Sequence, residues 1–429
     1  MTEGQKFTCS VNNSDTRRIE FLESLRKDLL LIGHEIEICP DQDAAIYSFI
    51  LKNVRNGFSA EIGGIYKSFK QRELRAEYKF INEMEKKGVI SHFINGKELK
   101  PSSIKPYLSI CKSPSEHKLA KYCRLLQSVP NSVGVGRRFS ALVYDIGQGD
   151  KPVLMGLICM ADATISLKDR DEYLLWTERV KKKLGLRMIM QLTVCMALPP
   201  YNLLYGAKLV AALALSDPIQ KEFFYRYTVP LLAVITTSAT GIHNAIFNRI
   251  KLNNLIDQSV YSDYSSEMYK RIGKTSGRTL SILSDKTIDA AKILINDSLD
   301  HSSSPVNPSS GFRSSASKNR IAYEALRICG LSRKILNLNE KGLYLGSLHP
   351  RNVNLLRNPT TDDFHPITKL DVEILTTYWK YRWVSRALND QALMDKLFLF
   401  NRDEVALGPQ INIDDKNSYF TFITNSSEK

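Results

Sequence analysis

Residues 184–250 read LGLRMIMQLTVCMALPPYNLLYGAKLVAALALSDPIQKEFFYRYTVPLLAVITTSATGIHNAIFNRI. Arg187 to Leu198 is a continuous, predominantly apolar run with β-branched and sulfur-bearing side chains, the length of a buried strand. Pro199-Pro200 stops it, and Gly206 stands just ahead of a helical segment dense in Ala and Leu, Ala207 to Leu215. Ser216-Asp217, with Pro218 at the first helical position, starts a second helix, and Pro230 to Thr240 supplies a second apolar strand. Two buried strands flanking helices suggest an α/β or mixed-layer core. The same stretch is the one candidate for a membrane span, but Pro199, Pro200, Asn202 and Lys208 interrupt it well short of the ~20 apolar residues that crossing needs. We read it as buried in protein.

Just upstream, Arg138 to Ile146 and Pro152 to Met160 are strand-like runs joined by Gly147-Gln148-Gly149-Asp150, an antiparallel hairpin. The segment from Asp169 to Gly185 predicts one amphipathic helix with Lys181, Lys182 and Lys183 at its C-terminal end, where the helix dipole favours cations. The first boundary falls at Val129 to Ser132, where helical spacing gives way to strand spacing. Residues 1–130 are expected to be mainly helical. Asp15 caps a helix with Ile19, Leu22, Leu25, Leu29 and Ile32 on one face and Gly33 at its end, and a charged helix spans Lys70 to Lys87. Ser113-Pro114-Ser115-Glu116 is a capping box, and a short hairpin is possible at Ile94-Asn95-Gly96. Residues 131–295 form the α/β core. Residues 296–318 are serine-rich and too poor in apolar side chains to order themselves, and 319–429 complete or flank the core with a long helix from Thr368 to Leu388.

The 429 residues suggest two or three structural units, and 43% hydrophobic content supports a globular interior. With 59 Lys plus Arg against 45 Asp plus Glu, the formal charge is +14, which suits a polyanionic partner such as nucleic acid; a generally basic surface gives the same total. Seven cysteines stand singly with no CxxC pair, so a zinc site is not expected and a reducing cytoplasm fits. The polar first residues lack the apolar core of a signal peptide.

Catalytic constellations are sparse. The seven histidines show no HxxxH or HExxH spacing, and no serine lies in a GxSxG elbow. Asp162, Asp169, Arg170 and Asp171 make either a charged site or a loop entering a helix cap. The loop from Pro199 to Lys208 is the better candidate, because a strand that breaks and feeds a helix presents free backbone amides to a pyrophosphate. Tyr201, Asn202, Tyr205, Gly206, Ala207 and Lys208 are its candidate cofactor-binding residues. The segment Tyr269 to Arg278, before a strand-like run from Thr279 to Leu283, is either a simple turn or an anion-binding loop using Lys274 and Arg278. In TYWKYRWVSRAL, Trp379, Lys380, Arg382, Trp383 and Arg386 interleave aromatic and basic side chains, which suits stacking with phosphate contact or else a buried tryptophan stripe. Arg137, Arg138 and Lys181 to Lys183 complete the candidate nucleic-acid contacts.

The order PPYNLLYGAKLVAALALSDPI, YRYTVPLLAVITTSATGIHNAIFNRI, YKRIGKTSGRTLSI and KGLYLGSLHPRNVNLL with WKYRW resembles the DruA family of the Druantia anti-phage system, over roughly residues 130 to 390. The resemblance implies antiviral defence in a bacterial cytoplasm, within a multi-gene system that includes a helicase-like partner. A weaker resemblance places the core near the GNAT acyltransferase-like fold, including Mom-type DNA modification proteins. It implies an α+β fold with a mixed, mostly antiparallel sheet flanked by helices, the fourth strand ending at a loop whose amides hold acyl-CoA. Asn202, Leu203, Leu204 and Tyr205 replace the basic and glycine positions of that loop, leaving Gly206-Ala207. The expectation is therefore a nucleic-acid-binding subunit without a cofactor or metal; the alternative is an acyl-CoA-dependent enzyme that modifies nucleic acid.

Overall fold

The computed structural model describes residues 5–30, 35–40, 44–51, 70–71, 73–128, 134, 136–238, 241, 243–251, 267–278, 283–300, 318–347, 350–358 and 371–411. The chain divides into two compact units, one of Met1–Phe69, Thr240–Ile242 and Ser276–Lys341, the other of Lys70–Ala239, His243–Thr275 and Gly342–Lys429.

The first unit corrects the mainly helical expectation for the N-terminal region. Strands β1 (Gln5–Asn12), β2 (Glu35–Pro40) and β3 (Ala44–Leu51) form an antiparallel sheet with β3 in the centre. The period-two signal is present in β1, where Cys9 and Val11 are buried while Lys6, Thr8 and Ser10 are exposed. The expected helix does form over Thr16–Leu30, with Phe21, Leu22, Leu25 and Leu29 buried and the Asp15 carboxylate accepting from the Arg18 amide at 3.1 Å. Its expected terminal Gly33 lies outside the described residues. Buried Asp28 accepts from the Ser284 amide at 2.7 Å and the Thr287 hydroxyl at 2.6 Å, holding the start of the helix Asp285–Asp300. That helix runs into the segment expected to be a loop, because Ser298 turns inward and donates to the Leu294 carbonyl at 2.8 Å. Residues 301–317 of the serine-rich segment lie outside the described residues.

The second unit holds, apart from Ser276–Arg278 and Asn337–Lys341, a seven-stranded sheet made by β4 (Pro106–Ile110), β5 (Arg138–Asp145), β6 (Val153–Asp162), β7 (Ile189–Ala197), β8 (Ala233–Thr237), β9 (Tyr269–Arg278) and β10 (Asn337–Gly346), in the order β4-β5-β6-β7-β8-β10-β9. Pairs β4/β5, β5/β6, β6/β7 and β8/β10 are antiparallel and β7/β8 is parallel. The fold is α+β with a mixed, mostly antiparallel sheet. The predicted hairpin is β5 and β6. Alternation along these strands feeds two cores: Ala141, Val143 and Ile158 face the helices Gly206–Leu213 and Val372–Trp379, while Leu142 and Leu157 face the helix Pro114–Leu125. The capping box of that last helix forms as read, Ser113 accepting from the Glu116 amide while Glu116 accepts from the Ser113 amide.

Two local expectations fail. The single helix predicted from Asp169 to Gly185 is two short ones, Lys168–Tyr173 and Glu178–Lys183. Leu174 is buried and the Trp176 indole donates to the Leu356 carbonyl at 2.5 Å, so the chain turns through exposed Leu175 at φ 55° and restarts at the Thr177 cap. Ile94 to Gly96 is no hairpin but enters a 3₁₀ turn, Gly96–Glu98, as the Gly96 amide donates to the Phe400 carbonyl at 2.9 Å. Among the described residues, no helix is long and apolar enough to cross a membrane.

Candidate functional site

β7, the fourth strand of the large sheet, ends at Ala197, and the Leu198 amide still reaches the Met155 carbonyl of β6 at 2.8 Å. Beyond the cis Pro199-Pro200 bond the chain makes a 3₁₀ turn, Tyr201–Leu204, and passes through Tyr205 at φ 56° into the helix Gly206–Leu213. The amides expected to be free are partly consumed inside this turn. Asn202 donates to the Leu198 carbonyl at 3.3 Å, Leu203 to that of Pro200 at 3.0 Å, and Tyr205 to that of Tyr201. A Cβ on Gly206 would stand 2.6 Å from the Tyr201 carbonyl oxygen, so the loop interior is filled by its own backbone.

Tyr201 does not line an opening. It is fully buried and donates its hydroxyl to Asp145 at 2.8 Å, and burial with the adjacent carboxylate pushes its pKa far up. Asp145 also accepts from the Lys105 and Gly147 amides at 2.8 and 2.9 Å, so Tyr201 completes a structural network. Asn202 is exposed and Ala207 half-buried. Tyr205 packs its ring 5.7 Å from that of Trp383, and its carbonyl accepts from the Trp379 indole at 3.2 Å.

These tryptophans come from the C-terminal helix, where two stretches singled out separately in the sequence meet. The helix starts at an Asp371 cap, runs Val372–Trp379, widens into a π turn over Lys380–Val384, and ends with Ser385–Leu388. Trp379 and Trp383 are buried, forming the tryptophan stripe rather than the stacking alternative. Lys380 donates to the Ser102 carbonyl at 2.8 Å. Arg382 and Arg386 stay exposed, and so does Tyr381 between these anchors at 71%.

Lys208 sits against this helix. It is 7% exposed, its ammonium lies 4.3 Å from the centre of the Trp383 ring and donates to the Ala245 carbonyl. Burial first, then the guanidinium charges of Arg249, Arg382 and Arg386, bring its pKa down to about 8. Among the described residues no carboxylate pairs with those three arginines. Arg249, from the 3₁₀ turn Phe247–Arg249, escaped sequence reasoning because nothing in its local pattern ties it to residues far away in the chain.

The remaining candidates are scattered. Arg137 is structural: its guanidinium donates to Asp162 at 2.6 Å and to the Arg187 and Leu186 carbonyls at 2.7 and 2.8 Å. Lys181 is buried and paired with Asp171 and Glu178, which corrects its assignment as a nucleic-acid contact. The side chains of Lys182, Lys183 and Arg278 lie outside the described residues. The segment Tyr269–Arg278 is a strand rather than a turn or loop, and its Lys274 amide donates to an internal anion, Asp169, at 2.7 Å. The strand-like run from Thr279 falls mostly outside the described residues. Arg170 is fully buried and donates to the Thr164 and Ile165 carbonyls and to Asp171, so the acidic cluster serves the loop. Among the described residues, no group of three His, Cys, Asp or Glu is placed to hold a metal. Arg138 is exposed.

A family model described as Druantia protein DruA matches residues 64–345. A curated protein of that description from Escherichia coli (strain UMEA 4076-1) is 33% identical over 229 residues, 50% of this chain and 52% of the relative. The chain thus spans about half the length of the curated relative it matches. No solved structure matches.

Proposed function

The chain belongs to the Druantia protein DruA family, and from that premise we propose that it is a nucleic-acid-binding component of a bacterial anti-phage defence system of the Druantia type. It works in the cytoplasm beside the other Druantia proteins, a helicase-like partner among them. The observation that carries the reading is the placement of Lys208, a buried ammonium 4.3 Å from the centre of the Trp383 ring, near exposed Arg249, Arg382 and Arg386; burial and those three charges bring its pKa down to about 8. Like charges gathered with no paired carboxylate among the described residues are relieved by a bound anion, and exposed arginines meet phosphate oxygens in bidentate fashion. Exposed Tyr381 offers a stacking face beside Arg382. The +14 formal charge favours polyanion encounter at long range. Phosphate contacts of this kind carry no sequence information, so binding is expected to be sequence-tolerant.

Fluorescence anisotropy with single- and double-stranded DNA and RNA tests the proposal. Affinity should fall linearly on a log-log plot against salt, and Arg382→Gln with Arg386→Gln should flatten the slope by about 1.5 to 2. Absence of salt-dependent binding to all four nucleic acids would defeat it.

A second reading, an acyl-CoA-dependent nucleic-acid-modifying enzyme on a GNAT-like sheet, is favoured by one feature. Parallel pairing of β7 with β8 is confined to Ile189–Gln191 against Ala233–Ile235, and β7 then runs on to the Pro199 to Lys208 loop. Tyr269, fully inside the protein and donating to the Ala211 carbonyl at 2.7 Å, packs behind the helix that follows this loop. Acetyl-CoA raising the melting temperature of the wild type but not of Gly206→Trp supports this reading. No shift at millimolar cofactor removes it.

A further inference from the structure

We infer that the cleft between the helix Pro114–Leu125 and the sheet is a second, separate site, which takes a single nucleotide with its phosphate held by Arg124 and Arg138. The cleft encloses about 500 Å³ and lies mainly under the helix that covers the sheet face opposite Gly206–Leu213. That volume falls within the roughly 300–1,000 Å³ of small-molecule sites. It owes nothing to the Lys208 cluster.

The charge on its walls is of one sign. Lys121, Arg124, Arg138, Arg226 and His117 line it, and among the described residues no carboxylate does. Two of these cations are already neutralised from outside the cleft, Lys121 by Glu77 at 2.6 Å and Arg226 by Glu222 at 2.5 Å. The other two guanidinium groups are not. Arg124 has a buried Nε with no hydrogen-bond partner, a costly state for a charged donor. Arg138 is exposed and, among the described residues, pairs with no carboxylate. Cys159 adds no negative charge, since burial pushes its pKa up and keeps it a thiol. Arg124 and Arg138 line one opening without a carboxylate partner among the described residues, which suits a phosphate group as their acceptor.

The rest of the lining is not that of a simple anion hole. Ala120 and Val194, from the core on the side of the covering helix, give it an apolar wall against which a flat base can lie. Two hydroxyls stand nearby with their protons spent: Ser140 donates to the Cys159 sulfur at 3.3 Å and Thr193 to the Cys159 carbonyl at 3.1 Å. Each keeps oxygen lone pairs, which accept from amino groups of a base and repel a second phosphate. Phosphate, apolar ring and ring-borne donors together describe a nucleotide, either the phosphorylated terminus of a strand or a free mononucleotide.

Isothermal titration with mononucleotides, inorganic phosphate and 5′-phosphorylated or 5′-hydroxyl oligonucleotides tests this. A mononucleotide should bind, and Arg138→Gln, a surface change that spares folding, should weaken it about 10-fold or more, with Arg124→Gln doing the same where its melting temperature is retained. Arg382→Gln should leave mononucleotide binding unchanged, which separates this site from the proposed polymer-binding surface. Oligonucleotides preferred for a 5′-phosphate identify a strand terminus as the source, and tighter binding of the mononucleotide identifies the free ligand. Inorganic phosphate binding as tightly as any nucleotide overturns the inference, as does the absence of binding by every probe.

Discussion

A lysine that is 7% exposed and 4.3 Å from an indole centre has given up most of its hydration, and three guanidinium groups add repulsion to that loss. Its ordinary pKa of 10.5 falls to about 8. Below pH 8 both the folded and the unfolded chain carry this proton, so the full cost of burying the charge is present. Between pH 8 and 10.5 the folded chain releases it first, the unfolded chain binds more protons, and stability rises with pH. Lys208→Met should therefore be more stable than the wild type at pH 7, by about 1–3 kcal/mol, with the gap closing as pH approaches 10.5. Urea unfolding across that range reads this out, and a gap independent of pH would refute it. Tyr201 shows the converse. The sequence places it correctly in the loop after Leu198, yet nothing local reveals that Asp145, far away in the chain, draws it inward. Tyr201→Phe leaves that carboxylate short of one donor and should cost about 1–2 kcal/mol while nucleic-acid affinity is retained. Loss of binding in a fully folded variant would return Tyr201 to the site.

At the scale of elements, strong local grammar was legible: the hairpin β5/β6, the Ser113 capping box and the strand, loop and helix from Ile189 to Leu213 all form where the pattern puts them. Features set by distant partners were not. A π turn over Lys380–Val384 leaves no mark on apolar periodicity, and one exposed leucine at φ 55° splits a predicted helix because Leu174 and Trp176 are claimed by the core. The N-terminal strands were missed although β1 alternates, since each is at most eight residues long and β1 and β2 flank a more conspicuous helix. Gly96 illustrates an interaction across the sequence that can be tested. Its amide donates to Phe400, and a Cβ there would stand 1.5 Å from the Leu397 carbonyl oxygen at the end of the helix Gln391–Leu399. Gly96→Ala must push that helix away, with an expected loss of about 2 kcal/mol or more. A thermal melt indistinguishable from that of the wild type would show that the helix end yields freely.

For the whole molecule the matching question is whether binding follows total charge or its arrangement. The family match covers residues 64–345, whereas β1 to β3 precede it and Arg382 and Arg386 follow it. Family membership alone therefore does not specify the proposed basic surface, and the +14 total would attract a polyanion even with its charges dispersed. Two variants of equal charge separate these cases. Arg249→Glu, Arg382→Glu and Arg386→Glu together reverse the three cations around Lys208; Lys87→Glu, Lys168→Glu and Lys221→Glu reverse three exposed lysines elsewhere, each facing a surface carboxylate. Both triple variants lower the formal charge by the same amount. Long-range attraction predicts equal losses, while direct phosphate contact makes the arginine variant lose roughly 100-fold or more and the lysine variant only a few-fold near physiological salt. The salt slope should divide them as well, falling by about 2 to 3 for the arginine triple and by less than about 1 for the lysine triple. Equal behaviour of the two would mean that the protein attracts nucleic acid as a diffuse polycation and that the Lys208 cluster is not its binding surface.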